Sequence, residues 1–221
     1  MEKIKRSFLY NNSLSIVFVI LALLSLVGQY FTGWHEYNEF LHDHGQPSVA
    51  LLQYISSGHF QQATFENWES EFFQMALFVI LTIFLRQKGS SESKQMEGKE
   101  EVDEEPKDHP SAPWPVKKGG FILSIYKHSL SIAMLLLFLF SFIMHWYGSW
   151  RDYNLNQLLD GKSSETMFSY LGNSRLWFES FQNWQSEFLS IFAIVFLSIY
   201  LRQIGSSQSK KVDAPNDETG E

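Results

Sequence analysis

The chain has 221 residues, of which 45% are hydrophobic, 16% aromatic and only 19% charged. A typical soluble chain carries about 25% charged residues, so this composition argues against a purely soluble protein. The net charge of −7 argues against binding to nucleic acid. The lack of cysteine excludes disulfides, thiolate metal sites and a cysteine nucleophile.

The chain contains an internal repeat. A shift of 116 residues aligns it with itself without a gap, and 31 of the 85 aligned positions are identical when 10–94 is laid on 126–210. The most similar stretches are 65–72 and 181–188, which read FENWESEF and FQNWQSEF. Because self-similarity at a fixed period reports the architecture, we predict two tandem repeats, 10–94 and 126–210.

In chain order, a short N-terminus (1–9) precedes the first apolar segment. Residues 14–31 are 18 residues without a charge, and residues 130–147 repeat this pattern in the second half. A stretch of this length is sufficient for a transmembrane helix. We therefore predict both segments as membrane spans.

The second apolar segment of each repeat is shorter. The runs 72–85 and 188–201 have 14 residues each, which is ~21 Å of helix against a hydrocarbon core of ~30 Å. Spans that begin four residues earlier reach ~27 Å, so we predict spans at 68–85 and 184–201. A buried helix of a soluble protein or a re-entrant hairpin is the alternative for both.

The segments between and after the repeats are polar. Residues 95–125 combine an acidic run with three prolines, and residues 211–221 form a polar tail. Such segments have too little apolar surface to offset the entropy of ordering, so we predict a disordered acidic, Pro-rich linker and a disordered tail. The predicted fold is an all-α membrane protein with four transmembrane helices from two tandem parallel repeats.

Basic residues are distributed unevenly along the chain. No lysine or arginine lies between Ser7 and Leu85, whereas eight lie from Arg86 to Lys127. The positive-inside rule therefore places the N-terminus, the linker and the tail in the cytoplasm. The two 39-residue connections, 32–70 and 148–186, then lie outside, although the second carries three basic residues of its own.

Both outer connections carry a short apolar cluster at helical spacing, at 51–55 and 167–171. These clusters predict short interfacial helices that lie on the membrane surface. Tryptophans flank the predicted spans, and aromatic residues in such places form an interfacial belt. The predicted interfacial aromatics are Trp34, Trp68, Trp150 and Trp184.

Two acids recur at the mouths of the second and fourth predicted spans. An acid at that depth is costly unless it is paired or hydrated, and two parallel repeats related by an axis along the membrane normal would turn both carboxylates toward a shared centre. A cation or proton site is one hypothesis. An acid at the start of a helix, stabilised by the helix dipole, is the alternative. The candidate site comprises Glu71, Glu187, Asn67, Asn183, Ser70 and Ser186.

The sequence has no recognisable pattern for catalysis or cofactor binding. It lacks a glycine-rich phosphate loop, a nucleophile elbow and a set of nucleophile, base and orienting residue. Glu36 and Asp152 recur, but a helix-ending turn is the favoured interpretation. The His-Asp-His fragment at 42–44 has no counterpart in the second half. We predict no metal site, no cofactor and no enzymatic activity.

The duplicated outline resembles a known bacterial family. The motifs that carry the resemblance are Trp34-x-x-Tyr37-Asn38, FENWESEF, LRQKGS at 85–90 and FQNWQSEF, with APWPV at 112–116. The family comprises uncharacterised membrane proteins, classed as a domain of unknown function, and the resemblance covers about residues 8–211. It implies a bacterial cytoplasmic (inner) membrane location and no activity, cofactor or catalytic residue.

Three functions remain open on the sequence alone, and a membrane enzyme is the least favoured of them because no set of nucleophile, base and orienting residue is recognisable. The leading hypothesis is a non-enzymatic scaffold, envelope or interaction protein that contacts the lipid bilayer and either a protein partner or a second copy of itself. The alternative is a small channel or carrier for cations or protons that uses Glu71 and Glu187. Nucleic acid is not expected as a partner.

Overall fold

The computed structural model describes residues 7–220. Residues 1–6, which include the basic residues Lys3, Lys5 and Arg6 of the predicted cytoplasmic N-terminus, lie outside the described part, as does Glu221. Residues 7–220 are predominantly helical and contain no strand. The all-α class is therefore confirmed.

Nine α-helices and one short 3₁₀ helix (Glu101–Asp103) make up the regular structure of the described residues. The α-helices are α1 (Phe8–Asn11), α2 (Ser13–Asp43), α3 (Leu51–Tyr54), α4 (Gly58–Phe84), α5 (Trp114–Lys118), α6 (Gly120–Lys127), α7 (Ser129–Leu159), α8 (Met167–Tyr170) and α9 (Ser174–Tyr200).

The helices recur at the offset seen in the sequence. Helices α7, α8 and α9 begin 116 residues after α2, α3 and α4 and have the same lengths of 31, 4 and 27 residues. The short helices predicted in the two long connections are present as α3 and α8. A break at Asn12 separates α1 from α2, and a break at His128 separates α6 from α7.

The long helices α2 and α7 end in the same way. Gly45 and Gly161 follow them with φ of 68° and 70°, a left-handed conformation that glycine adopts without strain. The next N–H then reaches back to a helix carbonyl, from Gln46 to Leu41 in one case and from Lys162 to Gln157 in the other, at 2.8 Å each. This Schellman-type ending satisfies carbonyls that the helix leaves open and turns each connection back.

Helices α4 and α9 end at a repeated arginine. The Arg86 guanidinium donates to the carbonyls of Ile83 and Leu85, and Arg202 donates to those of Ser198, Ile199 and Leu201. A cation at a helix C-terminus is stabilised by the helix dipole as well as by these bonds. Both arginines therefore act as local C-caps.

Two of the described helices, α2 and α7, are long and apolar enough to cross a membrane. None of the most apolar 18-residue stretch of α2 is buried, and only 11% of that of α7 is buried. The core helix of a soluble protein would be buried, so these exposed apolar surfaces favour membrane association. Helices α4 and α9 do not meet the same test, so two of the four predicted spans are supported as candidates and the four-span arrangement remains a prediction.

The shorter apolar runs nevertheless belong to long helices. At 1.5 Å per residue, the 27 residues of α4 or α9 extend ~40 Å. Glu71 lies 13 residues after Gly58 (71 − 58), and Glu187 lies 13 residues after Ser174 (187 − 174). The dipole acts within the first turn of a helix, so neither acid is explained as a residue at a helix start.

The chain divides into two compact units. Unit 1 comprises the residues up to Phe65 together with Met144–Asn173, and unit 2 comprises Glu66–Ile143 together with the residues from Ser174 onward. The core of unit 1 is built on Tyr37, Leu41 and Tyr54. Unit 2 holds an aromatic cluster in which Phe73 packs against three rings, those of Phe138, Trp184 and Phe188.

The linker and the tail make contacts that their composition does not predict. The linker contains α5 and most of α6, and its Trp114 is 65% exposed. In unit 2 the Gly89 N–H donates to Thr219 Oγ1 at 2.8 Å. The ammonium of Lys210, a buried residue, donates to three carbonyl oxygens of the tail, those of Pro215, Asn216 and Glu218. Backbone capping, rather than apolar burial, holds the tail against the turn after α4.

Candidate functional site

Unit 2 brings the two recurring acids together. The side chain of Glu187 is half-buried, that of Glu71 is exposed, and the two carboxyl groups lie close enough to interact electrostatically. Two neighbouring carboxyl groups offer oxygen ligands that are chemically suited to a proton or a small cation.

A second pair of equivalent positions meets beside the acids. Gln74 Nε2 donates to Ser190 Oγ at 3.2 Å and to the Glu187 carbonyl at 3.1 Å. Like Glu71 and Glu187, Gln74 and Ser190 are 116 residues apart. Residues at i and i+3 share a helix face, so Glu71 and Gln74 define one face of α4 and Glu187 and Ser190 the matching face of α9. Equivalent positions of two repeats meet when they lie near an axis that relates the repeats.

The other predicted site residues are engaged elsewhere. Ser70 Oγ donates to the Asn67 carbonyl at 2.8 Å, and Ser186 Oγ donates to the Asn183 carbonyl at 2.8 Å. Asn183 Nδ2 donates to the Glu179 carbonyl at 3.1 Å. Hydroxyls that bond back to their own helix are not directed at the carboxyl pair. The site that the structure assembles therefore comprises Glu71 and Glu187 with Gln74 and Ser190 beside them. The sequence did not predict Gln74 or Ser190 as members of this site.

Another residue that sequence reasoning missed is Glu69, which is fully buried. Its Oε1 accepts a hydrogen bond of 3.1 Å from Trp184 Nε1, and the Trp184 ring packs against Phe73 with a centroid distance of 4.6 Å. Trp184, predicted as an interfacial aromatic, also hydrogen-bonds a buried acid, which the sequence did not reveal. Trp68 is exposed, as an interfacial residue would be.

We expect Glu69→Gln and Glu69→Ala to differ sharply. Glutamine keeps an acceptor for the Trp184 N–H, so its free energy of unfolding should stay within ~1 kcal/mol of the wild type. Alanine leaves that partly buried N–H without this acceptor and opens a cavity at the buried Glu69 position, so it should lose ~3 kcal/mol. Thermal unfolding in detergent, followed by tryptophan fluorescence, measures both. Equal losses would remove the hydrogen bond from the explanation.

In unit 1 the repeated tryptophans and asparagines clamp the chain after each long helix. Trp34 Nε1 donates to the Val49 carbonyl at 2.8 Å. Asn38 accepts from the Val49 N–H at 2.7 Å and donates to its carbonyl at 3.2 Å. Trp150 and Asn154 make the same three bonds to the backbone of Glu165, at 2.8 Å each. Both indole N–H groups are thus used within the protein, which the prediction of interfacial aromatics did not anticipate.

Unit 1 also contains a small polar cavity of about 110 Å³. Glu36 and Asp152, which are 116 residues apart, both line it, together with His59. His59 Nε2 lies 3.6 Å from Glu36 Oε2, and His59 Nδ1 lies 2.8 Å from the hydroxyl of Tyr54. The helix-ending turns come later, at Gly45 and Gly161, so Glu36 and Asp152 lie within α2 and α7 and are brought together by packing.

The acids around this cavity influence two buried tyrosines. Burial, followed by the Asp152 carboxylate, raises the pKa of Tyr37. Burial, followed by the carboxylates of Glu36 and Asp152, raises the pKa of Tyr54. Both phenols therefore stay neutral to higher pH in the folded protein than in the unfolded chain.

These raised pKa values predict a loss of stability at alkaline pH. Below the ordinary tyrosine pKa of ~10 both states keep the proton, and above it the unfolded chain releases the proton first, so the free energy of unfolding falls. Titration of the unfolding free energy between neutral and alkaline pH tests this. Tyr54→Phe should weaken the alkaline slope and the exposed Tyr10→Phe should not; an unchanged slope in Tyr54→Phe would contradict the explanation.

Taken together, the fold and the contacts define a protein that is all-helical over its described residues, with two helices suited to cross a membrane and with acids that recur at matching positions of its two halves. The chain belongs to the family described as a domain of unknown function (DUF6766), whose model matches residues 5–221. The resemblance found in the sequence is thereby confirmed. Neither the curated proteins nor the solved structures give a match.

Proposed function

We propose that the protein is a multi-pass protein of the bacterial cytoplasmic membrane that acts through contacts rather than catalysis. The observation that carries this proposal is the exposure of the apolar 18-residue stretches of α2 and α7. Exposed apolar helical stretches of this length are stable when lipid covers them.

Four crossings follow if the two repeats are inserted alike. The recurrence of the helix lengths at an offset of 116 residues supports equivalent insertion of α2 with α7 and of α4 with α9. In this proposal Arg86 and Arg202, at the ends of α4 and α9, serve as cytoplasmic anchors. The N-terminus, linker and tail are then cytoplasmic, and the two long connections are outside.

The outer connections present apolar residues at their tips. Leu52 of α3 is 81% exposed, and Phe168, 116 residues later in α8, is 80% exposed. A single exposed apolar residue is ordinary, but two at equivalent positions of short helices next to spans fit insertion into the membrane interface. The partners of this proposal are the bilayer and either another protein or a second copy of the chain.

Extraction of cell membranes tests the proposal. The full chain should remain in the pellet after an alkaline carbonate wash and dissolve only in detergent. Release by carbonate alone would contradict membrane spanning.

A second function is favoured by one specific observation, the proximity of the carboxyl groups of Glu71 and Glu187. We propose that this pair, with Gln74 and Ser190 beside it, binds a proton or a small cation that crosses the membrane. Carboxyl groups placed together inside transmembrane bundles are a recurrent element of ion pathways.

Flux into liposomes that contain the purified chain measures this activity. Glu71→Gln combined with Glu187→Gln removes both ionisable groups while it retains their volume, and it should abolish proton or cation flux. Glu97→Gln combined with Glu100→Gln is a control of equal charge change in the linker and should leave flux unchanged. Flux that persists in the first variant would eliminate this function.

A further inference from the structure

The segment that leads into α7 has an exposed surface that is both apolar and basic. Phe121 of α6 is 80% exposed and Trp114 of α5 is 65% exposed, and Ile125 adds a further exposed apolar side chain. The same short segment carries three lysines and no acid between Trp114 and Lys127. The lysines are Lys117, Lys118 and Lys127.

We propose that α5 and α6 form a docking surface for anionic phospholipid on the cytoplasmic face of the membrane. This inference rests on the proposed membrane insertion of α7. Exposed aromatic and aliphatic side chains beside lysines are the combination that binds the headgroup region of an anionic leaflet.

The position of the segment fixes its partner. Only His128 separates the end of α6 from the start of α7, and its N–H bonds back to the carbonyls of Ile125 and Tyr126. The charge-free run of α7 begins at Leu130. Phe121 lies ~9 Å along α6 from the last residue of that helix, and three residues of chain lead from there to Leu130, so Phe121 lies within ~20 Å of the start of that run. When α7 is inserted, α6 lies next to the membrane surface, so lipid headgroups are the partner present beside α6 at high local concentration.

The internal contacts of the lysines do not compete strongly with lipid. Lys127 pairs with Glu105, whose side chain is exposed, and Lys117 donates to the Pro110 carbonyl at 2.6 Å. Exposed ion pairs contribute little to stability, so a lipid phosphate can replace Glu105 at Lys127. Glu105 thereby acts as an internal competitor, and its removal should strengthen docking.

The test uses the full chain with one introduced cysteine, because the natural sequence has none. Ser124 is exposed on α6, so Ser124→Cys carries an environment-sensitive fluorophore. The protein is reconstituted into vesicles of phosphatidylcholine, with or without phosphatidylglycerol. We expect burial of the fluorophore, detected by quenching from nitroxide lipid, to rise when phosphatidylglycerol is present.

Charge variants identify the lysines responsible. The triple variant Lys117→Gln, Lys118→Gln and Lys127→Gln should lower the docking equilibrium constant about a hundredfold, since each lysine near an anionic surface contributes about fivefold. The matched control, Lys88→Gln, Lys99→Gln and Lys107→Gln, has the same charge change outside the segment and should leave docking unchanged. Glu105→Gln should strengthen docking.

Failure of this inference is distinguishable from failure of membrane insertion. A fluorophore on Leu136→Cys, within the apolar stretch of α7, reports insertion and should be quenched by deep nitroxide lipid in both kinds of vesicle. If that probe is quenched while the Ser124→Cys probe is equally exposed to water in both vesicles, the docking surface is overturned and the span stands. Equal effects of the two triple variants would also overturn it.

Discussion

Replacing Gly148 with alanine is expected to destabilise unit 1 by ~3 kcal/mol. A Cβ at this position would lie 2.5 Å from Gln62 N and 2.9 Å from Gln61 C, and a Cβ at Gly58 would lie 2.8 Å from Gly148 O. These neighbours are backbone atoms, so relief requires a shift of one helix against the other rather than a change of rotamer. The thermal unfolding midpoint in detergent measures the loss.

Gly28→Ala is the matched control. Gly148 lies within α7, and Gly28 lies within α2, the other long apolar helix. Nothing lies within 4 Å of a Cβ added at Gly28. Alanine favours the helix over glycine by ~1 kcal/mol, so this variant should be as stable as the wild type or slightly more so. Similar midpoints for Gly148→Ala and Gly28→Ala would contradict the close backbone approach.

The second large effect is expected from the double variant Asn38→Ala with Asn154→Ala. Each substitution removes the acceptor of one backbone N–H, that of Val49 or that of Glu165. A partly buried N–H that loses its partner costs ~1–3 kcal/mol, so the pair should lose ~4 kcal/mol. Both connections should also become more sensitive to protease, which limited proteolysis before and after substitution detects.

Asn12→Ala provides the comparison for this variant. Asn12 also makes a side-chain bond to the backbone, to the Phe8 carbonyl at 2.8 Å, but it is exposed at the break before α2. Water replaces an exposed bond of this kind, so the loss should be below ~1 kcal/mol. A comparable loss from Asn12→Ala would show that the clamps have no special role.

The sequence was sufficient to predict the four long helices and the two short helices of the connections, but not α1, α5 or α6. Uninterrupted apolar runs and a repeat at a fixed offset predict helices at both ends of each connection, and the structure has α2, α4, α7 and α9 there. The short clusters at 51–55 and 167–171 likewise predict α3 and α8. These features follow from local composition and periodicity, which a single sequence displays.

The contacts of the candidate site were predictable only in part. A two-fold arrangement of parallel repeats predicts that Glu71 and Glu187 approach each other, and in unit 2 their carboxyl groups lie close enough to interact electrostatically. The roles of Ser70 and Ser186 were missed because a hydroxyl chooses between a neighbouring residue and its own helix carbonyl. The burial of Glu69 was missed because the repeat has Gln185 there, and burial depends on packing between distant segments.

The tryptophans show the same limit. An indole beside a span fits an interfacial belt, and position alone does not reveal that Trp34 and Trp150 donate to the carbonyls of residues 49 and 165. The signal available was the repeated spacing of Trp34 with Asn38 and of Trp150 with Asn154. Residues four apart lie on one helix face, where both side chains can reach the same peptide.

Topology is the most direct test of the four-crossing arrangement. Single cysteines at Ser48, Ser164, Ser111 and Ser207, all exposed, are treated in intact cells with a membrane-impermeant thiol reagent, and permeabilised cells give the full signal. We expect Ser48→Cys and Ser164→Cys to label and Ser111→Cys and Ser207→Cys to stay protected until permeabilisation. Equal labelling of Ser48→Cys and Ser111→Cys in intact cells would show that α4 does not cross the membrane and would contradict the arrangement.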